Sequence, residues 1–527
     1  MKRYIYILFA VLLSILLLSC NLEEISPDKY DQDTFWYSAK TAEAGLTGCY
    51  SVLLNAGLYG GATAIWEETA SPNAYNYHNS NGWNSIALGT QTADIGIFSA
   101  RWKAAYTGIG RCNLLINNIG QSKELSSAQI EQMRAQARFL RALYYHILTI
   151  YYDKVPFSTS IASLSDWNLP RTDREIIVEF LIQELNEISK ILPKTQNSQN
   201  DKGRPTAGAA LALKTRILLY EASPLFNQSN DKAKWQTVVD AAEEVIKIGG
   251  YDLFPNYRSL FSLQNENSVE SVFDVQCINM PNYGTSFDII LRQYNTCAPL
   301  QGLVDAYWMR DGKPKGESAF ISSTDYKDMD PRFYHTIVYP GSTFMGEVVK
   351  TDGTNSKFTN VQTGYTFKKY SIYDSHAPTT EEAQMGENRS PINYMIIRYA
   401  DILLMYAEAK NELGELNQEV WNKTIRPIRA RGGFTMGSAL DYPGNDYQEL
   451  LKQIRYERRI EFAGEGYYYN DLRRWKIAEN ELPETIRKFD GTPIITRTFN
   501  RNRDYLWPVP SSQIELAPTL LPNNPGW

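Results

Sequence analysis

Histidine and cysteine are scarce in this chain of 527 residues: His78, His146, His335 and His376 stand far apart, and the five cysteines are Cys20, Cys49, Cys112, Cys277 and Cys297. Neither set has CxxC or Cys/His spacing, so neither a metal centre nor a histidine-based catalytic centre is expected. The last four cysteines read as buried thiols or a single disulfide. Glycine-rich signatures are missing too. Gly60-Gly61 and Gly432-Gly433 lack the neighbours of a P-loop, a dinucleotide fingerprint or a serine elbow, so no bound cofactor is indicated. No Gly/Ser-rich or Pro-rich linker divides the chain, which points to one large body with inserted loops. Nor is there an excess of basic charge. With 53 Lys and Arg against 59 Asp and Glu, the formal charge is −6, which gives no electrostatic reason for a nucleic-acid partner.

Long apolar runs are also missing, with one exception at residues 4–20. Apolar or small residues follow Lys2 and Arg3 and stop at Leu17-Leu18-Ser19-Cys20. The run is shorter than the roughly 20 residues of a spanning helix and has the layout of a secretion signal ending at a lipid-accepting cysteine. Residues 1–19 are therefore expected to be removed, leaving Cys20 lipidated and the chain, net −8 without Lys2 and Arg3, tethered to a bilayer. Leu18 is bulkier than is usual two places before such a cysteine, and Glu23-Glu24 set acid beside the anchor.

What the chain does have is aromatic residues, 35 tyrosines and 11 tryptophans. Rings with a polar edge suit sugar-binding and protein interfaces as well as cores. Helical periodicity is clearest over 127–152, where Ile130, Met133, Ala137, Leu140, Tyr144, Leu148 and Tyr151 recur every three or four places. Arg134, Arg138 and Arg141 run beside that stripe and are expected to pair with acids of a neighbouring helix. Further helices are expected at about 41–54, 98–118, 173–191, 206–223, 234–248, 421–430, 446–462 and 466–478, with another carrying Ile396, Ala400, Leu403, Leu404 and Ala407. Residues 251–393 break into short runs with Gly, Pro and Asn, the texture of loops and hairpins. The predicted fold is mostly α: a tetratricopeptide-like helix-pair scaffold over about 30–250 and 394–480, a minor-β, loop-rich insertion at 251–393, and an irregular segment at 481–527.

The best paired carboxylates are Glu457 and Glu461, four apart on one helical face. Arg455, Arg458 and Arg459 sit among them and favour ionised carboxylates, where glycoside hydrolysis needs one to hold a proton. An ion-pair network stapling helices together, with Asp401 and Glu408 as members, is the better reading, so no enzyme is expected. Binding finds more material. Trp66, Tyr75, Tyr77 and Trp83 alternate with Asn73, Asn76, Asn79, Asn81 and Asn84, rings beside amides that match the C–H face and hydroxyl rim of a sugar. A second candidate loop carries Tyr283, Arg292 and Tyr294. Trp83 with Tyr75 or Tyr77 is expected to stack on a sugar ring, while Asn79, Asn81 and Arg292 bond hydroxyls; Asn73, Tyr283 and Tyr294 are further ligand-binding candidates.

Several segments together resemble the SusD/RagB family of outer-membrane nutrient-binding lipoproteins. They are RFLRALYY at 138–145, DKVP at 153–156, GRPT at 203–206, GYDLFPNY at 250–257, RYADILLMYAEA at 398–409, IRYERR at 454–459, DLRRW at 471–475 and NNPGW at 523–527. The resemblance implies four tetratricopeptide-like helix pairs beneath a loop-rich ligand side. It also implies an outer-membrane, lipid-anchored receptor facing the cell surface that passes oligosaccharides, uncleaved, to a SusC-like TonB-dependent transporter. Ligand contacts in the family lie in variable loops. Where many members carry an acid in the first loop, this chain has Ser71-Pro72-Asn73. Alternatives are a peptide-binding or adaptor lipoprotein of the same fold and a surface glycoside hydrolase.

Overall fold

The computed structural model describes residues 34–76, 78–196, 198, 201–320, 326–358 and 361–527. Cys20 and the apolar run before it lie outside them.

Six long helices occupy the first half: α1 (Ala39–Ser51), α2 (Gly96–Asn118), α3 (Ser127–Tyr152), α4 (Arg174–Ile188), α5 (Ala207–Ala222) and α6 (Lys232–Ile248). Their starts are written locally. Ser38 and Thr206 accept backbone N–H groups at the mouths of α1 and α5, Asp231 does so at α6, and Ser126 forms a reciprocal capping box with Gln129 at α3. After a long irregular passage the helices resume as α7 (Tyr399–Glu412), α8 (Ile425–Gly432), α9 (Tyr447–Glu461) and α10 (Tyr468–Arg474). Helices α1 to α7 each pack on the next in the chain, and α7 then packs on α9, giving the right-through stack of helix pairs that the periodicity implies. The α2–α3 crossing is close because Gly108 has no side chain; a Cβ there would meet the Tyr144 ring at 2.3 Å. One apolar core runs through the stack, from Trp36 to Leu520.

The strands are short and all pair antiparallel. Strand β1 (Ala74–Tyr75) pairs with β3 (Ala298–Pro299), and β2 (Ser271–Val275) with β8 (Tyr394–Arg398). Likewise β4 (Ile337–Val338) pairs with β7 (Thr366–Phe367), β5 (Thr343–Phe344) with β6 (Glu347–Val348), and β9 (Thr485–Arg487) with β10 (Pro493–Thr496). The β2–β8 pair closes the base of the irregular passage and feeds directly into α7. The C-terminal segment is more ordered than its composition indicates, because the β9–β10 hairpin and the short helix Ser511–Leu516 both lie within it.

Buried ion pairs fasten the helices to the irregular side. Arg138 and Arg141 of α3 reach Glu184 of α4 at 2.7 and 2.6 Å, and Arg138 also reaches Glu187. On α9, Glu457 binds Arg332 and Arg429, while Glu461 binds Arg332, Arg398 and Arg431. Asp401 and Glu408 of α7 belong to a second set, in which Arg216 and Arg458 hold Asp401 and Arg474 holds Glu408 at 2.6 Å. Burial alone would raise the pKa of Glu461, but Arg431, Arg398 and Arg332 hold it down at about 2. These carboxylates are structural anions surrounded by guanidinium groups.

Candidate functional site

Residues 69–75 are where the structure departs most from the sequence reading. The buried guanidinium of Arg497 donates to the carbonyls of Ser71 at 2.7 Å, Thr69 at 2.9 Å and Ala74 at 2.7 Å, which fixes the loop from beneath. Asn73 is fully buried; it donates to Glu68 Oε1 at 2.6 Å and accepts from Arg459 Nε at 2.8 Å. Tyr75 is buried as well, packed with Leu300 and Ile486 through its place in β1. Trp83 is 0 % exposed, edge-on to Trp507 at 5.9 Å and beneath the Arg101 guanidinium at 5.5 Å. The expectation that Trp83 and Tyr75 stack on a sugar, and that Asn73 contacts ligand, is corrected on this geometry: all three are spent on interior contacts. Tyr77 lies outside the described residues. Asn79 and Asn81 are exposed, both in left-handed turn conformations that asparagine tolerates.

Tyr283 is 57 % exposed. Arg292 and Tyr294 are half-buried on a single π-helical turn, Ile290–Tyr294, and Arg292 lies toward Tyr373.

What the tertiary structure does assemble is a groove of about 200 Å³ between the β9–β10 hairpin and the start of the helix Gln301–Ala306. Gln301, Gly302, Thr363, Glu484, Arg487, Lys488 and Phe489 line it. Its position follows from β1, since pairing of Ala74 with Pro299 and the bond from Leu300 N to Asn73 O (2.9 Å) set residues 300–302 above the fixed loop. Phe489, at the hairpin tip, is 38 % exposed, and its backbone N–H donates to Gln362 O at 2.9 Å. Its ring lies against Gly364, where φ is +82° and a Cβ would come within 2.0 Å of the ring. Only glycine satisfies both demands.

A cluster of tyrosines continues from the groove. Tyr365 Oη donates to Gln301 Oε1 at 2.7 Å and lies 2.9 Å from Tyr326 Oη. Tyr326 stacks on Phe333 at 5.8 Å and tilts against Tyr339 at 5.0 Å, while Tyr334 Oη donates to Tyr326 O at 2.8 Å. Tyr326, Tyr334 and Tyr339 are half-buried, with rings packed and edges at the surface. Burial raises the pKa of each, so their hydroxyls stay protonated at neutral pH and both donate and accept. Glu484 is the groove's half-buried acid; burial raises its pKa, opposed by Arg497 and Arg459, and Arg497 holds it at 3.1 Å. Among the described residues no cluster of three or more His, Cys, Asp or Glu could hold a metal ion. Sequence reading passed over these groups because residues 326–339 and 484–489 carry no motif. The only signal was the density of tyrosine around 326–373.

Two family models match the chain: the SusD family over residues 268–527, and a family described as starch-binding, associating with outer membrane, over 24–219. SusD-like protein P2 of Formosa agariphila is 27 % identical over 551 residues, covering all of both chains. The starch-binding protein SusD of Bacteroides thetaiotaomicron is 28 % identical over 159 residues, 29 % of this chain and 26 % of that protein. In structure, a SusD-like carbohydrate binding protein of Bacteroides fragilis superposes with a TM-score of 0.78 at 26 % identity, covering 92 % of this chain and 100 % of its own. Two models that between them span both halves, and relatives aligned end to end on the same stack of helix pairs, show that this chain belongs to the SusD/RagB family.

Proposed function

We propose that the protein is a glycan-binding lipoprotein of the outer membrane, tethered through Cys20. It captures oligosaccharide without cleaving it and passes it to a SusC-like TonB-dependent transporter. The observation that carries this reading is the groove itself: the partly exposed ring of Phe489 and the polar side chains of Gln301 and Thr363 line one space the size of a sugar ring, with Tyr365 bonded to Gln301 and packed edge-on against Phe489 beside it. Pyranose rings present C–H faces to aromatic rings and hydroxyls to amides and phenols, so one geometry satisfies both. Names of relatives lend support, since one is a starch-binding protein and another a carbohydrate binding protein. Rigid support lowers the ordering cost of binding, because the wall at 300–302 is tied to a loop held by a buried guanidinium. A small, open groove suits modest affinity, which a protein that must release its ligand requires.

The test is affinity electrophoresis against a panel of polysaccharides, run with the parent chain, Phe489→Ala and Gln301→Ala. Loss of one stacking ring costs about 1–2 kcal/mol, roughly tenfold in affinity, with the melting temperature unchanged. Retention of full affinity in both variants would refute the site. Reducing-end assays on the retained glycan should show no release in the parent chain. If release occurs and disappears in Glu484→Gln, the protein is a hydrolase instead.

A further inference from the structure

A second cleft opens on the helical scaffold, among α2, the loop 153–173 and the C-terminal helix Ser511–Leu516. Its volume is about 670 Å³, against about 200 Å³ for the groove, and the two share no residue. The loop that borders it is tied down. Tyr106 Oη donates to Pro156 O at 2.7 Å, Asn113 Nδ2 to Ser158 O at 3.1 Å and Ser160 O at 3.0 Å, and Tyr145 Oη to Ser158 O at 2.8 Å. Two flanking segments also hold each other, since Thr519 Oγ1 donates to Asn168 O at 2.8 Å and Thr519 N to Asn168 Oδ1 at 3.3 Å.

Several lining groups have no use in the scaffold. Trp102 is 4 % exposed, tilted on Tyr106 at 5.0 Å and edge-on to Tyr152 at 5.1 Å, yet among the described residues its indole N–H has no hydrogen-bond partner. A buried indole ordinarily finds one. Trp167 is 65 % exposed on the turn Leu164–Asn168, whose start is fixed because Asp166 accepts from the N–H and hydroxyl of Ser163 at 2.7 and 2.8 Å. Its ring is therefore presented by a capped turn. Gln513 and Lys103 line the cleft too, and among the described residues neither side-chain head has a partner.

We propose that this cleft is a second carbohydrate site, with room for a run of about three sugar rings. It rests on the glycan-binding reading above and adds a separate site to it. A sugar chain suits the lining: Trp167 offers an indole face to the C–H side of one ring, while the Trp102 N–H, Gln513 and Lys103 offer hydrogen bonds to its oxygens. An acyl chain would cover Leu516 and Leu520 but leave the buried indole N–H unpaired. Two weak sites on one tethered receptor hold a polymer by avidity, and each segment still releases quickly.

The test is isothermal titration of the full chain with the purified trisaccharide of whichever polysaccharide affinity electrophoresis retains. The parent chain should bind two trisaccharides. Trp167→Ala should weaken one of the two about tenfold and Phe489→Ala the other, each with an unchanged melting temperature. Trp102→Phe, which keeps a ring and removes the N–H, should weaken the same one as Trp167→Ala. A single trisaccharide per chain, weakened by Phe489→Ala and untouched by Trp167→Ala, overturns the second site and leaves the groove standing. A single trisaccharide weakened by Trp167→Ala alone sustains the second site and refutes the groove. If the parent chain retains no polysaccharide, both fall. Undiminished sugar binding by Trp167→Ala, with loss of an outer-membrane protein that the parent chain carries through purification, gives the cleft to a protein partner and overturns the proposal.

Discussion

Trp83 and Phe489 show how little an aromatic residue's neighbours in sequence say about its role. Trp83 sits in an Asn-rich loop and is sealed between Trp507 and Arg101, whereas Phe489 sits beside a charged Lys-Phe-Asp run and opens onto a groove. Trp83→Ala is expected to lower stability by about 3–5 kcal/mol through the cavity it leaves, read as a shift in the denaturant midpoint. An unchanged midpoint with weakened glycan retention would restore Trp83 as a ligand contact. Arg497 is the polar counterpart. Its replacement by alanine strips donors from three buried carbonyls, for a loss of about 3 kcal/mol, and loosens the loop that carries residues 300–302. Glycan affinity should fall with it in the same titration, although Arg497 itself is buried.

At the scale of elements, the stripe of α3 and the charge pattern of α9 were legible because helical spacing puts residues three and four apart on one face whatever the partner is. Pairing of Arg138 and Arg141 with Glu184, and of Glu457 and Glu461 with arginines, follows from that spacing plus the cost of an unpaired buried charge. Which arginines take part was not legible: Arg332 and Arg398 come from the irregular side, more than 60 residues away along the chain from Glu461. Because the folded pKa of Glu461 is about 2 against an ordinary 4.5, its contribution to stability is fully present above about pH 4.5 and is lost as pH falls toward 2. Denaturation midpoints measured from pH 6 down to 2 should decline across that window, and Glu461→Gln should flatten the decline while costing about 3–5 kcal/mol at pH 7. A parallel pair of curves would remove Glu461 from the account of acid sensitivity.

At the scale of the whole molecule, the final residues close the first helices. Trp507 packs on Phe98 at 4.7 Å and Tyr151 at 4.2 Å, Asn524 donates to Tyr152 O at 2.9 Å and Trp507 O at 2.6 Å, and Trp527 meets Phe98 edge-on at 5.9 Å. Since one apolar core includes residues from both ends, heat or denaturant should unfold the chain in a single transition, with calorimetric and van't Hoff enthalpies equal. Removing residues 506–527 should abolish that transition, seen as loss of cooperative melting by circular dichroism. A truncated chain that melts sharply would mean the helical stack stands alone.

By itself the sequence determined the long helices, the mostly α class and the pairing of charges along helix faces, since all of these depend on spacing within a dozen or so residues and on the cost of burying unpaired polar groups. Most of its family-bearing segments are of the same kind, lying in the helices and their ion pairs. Only the tertiary structure decided which rings face outward. Tyr75 and Trp83 go inside because strand β3 and the C-terminal segment cover them, and Phe489 and Gln301 come together from segments more than 100 residues apart. Exposure is a property of what else packs nearby, and no local pattern encodes it.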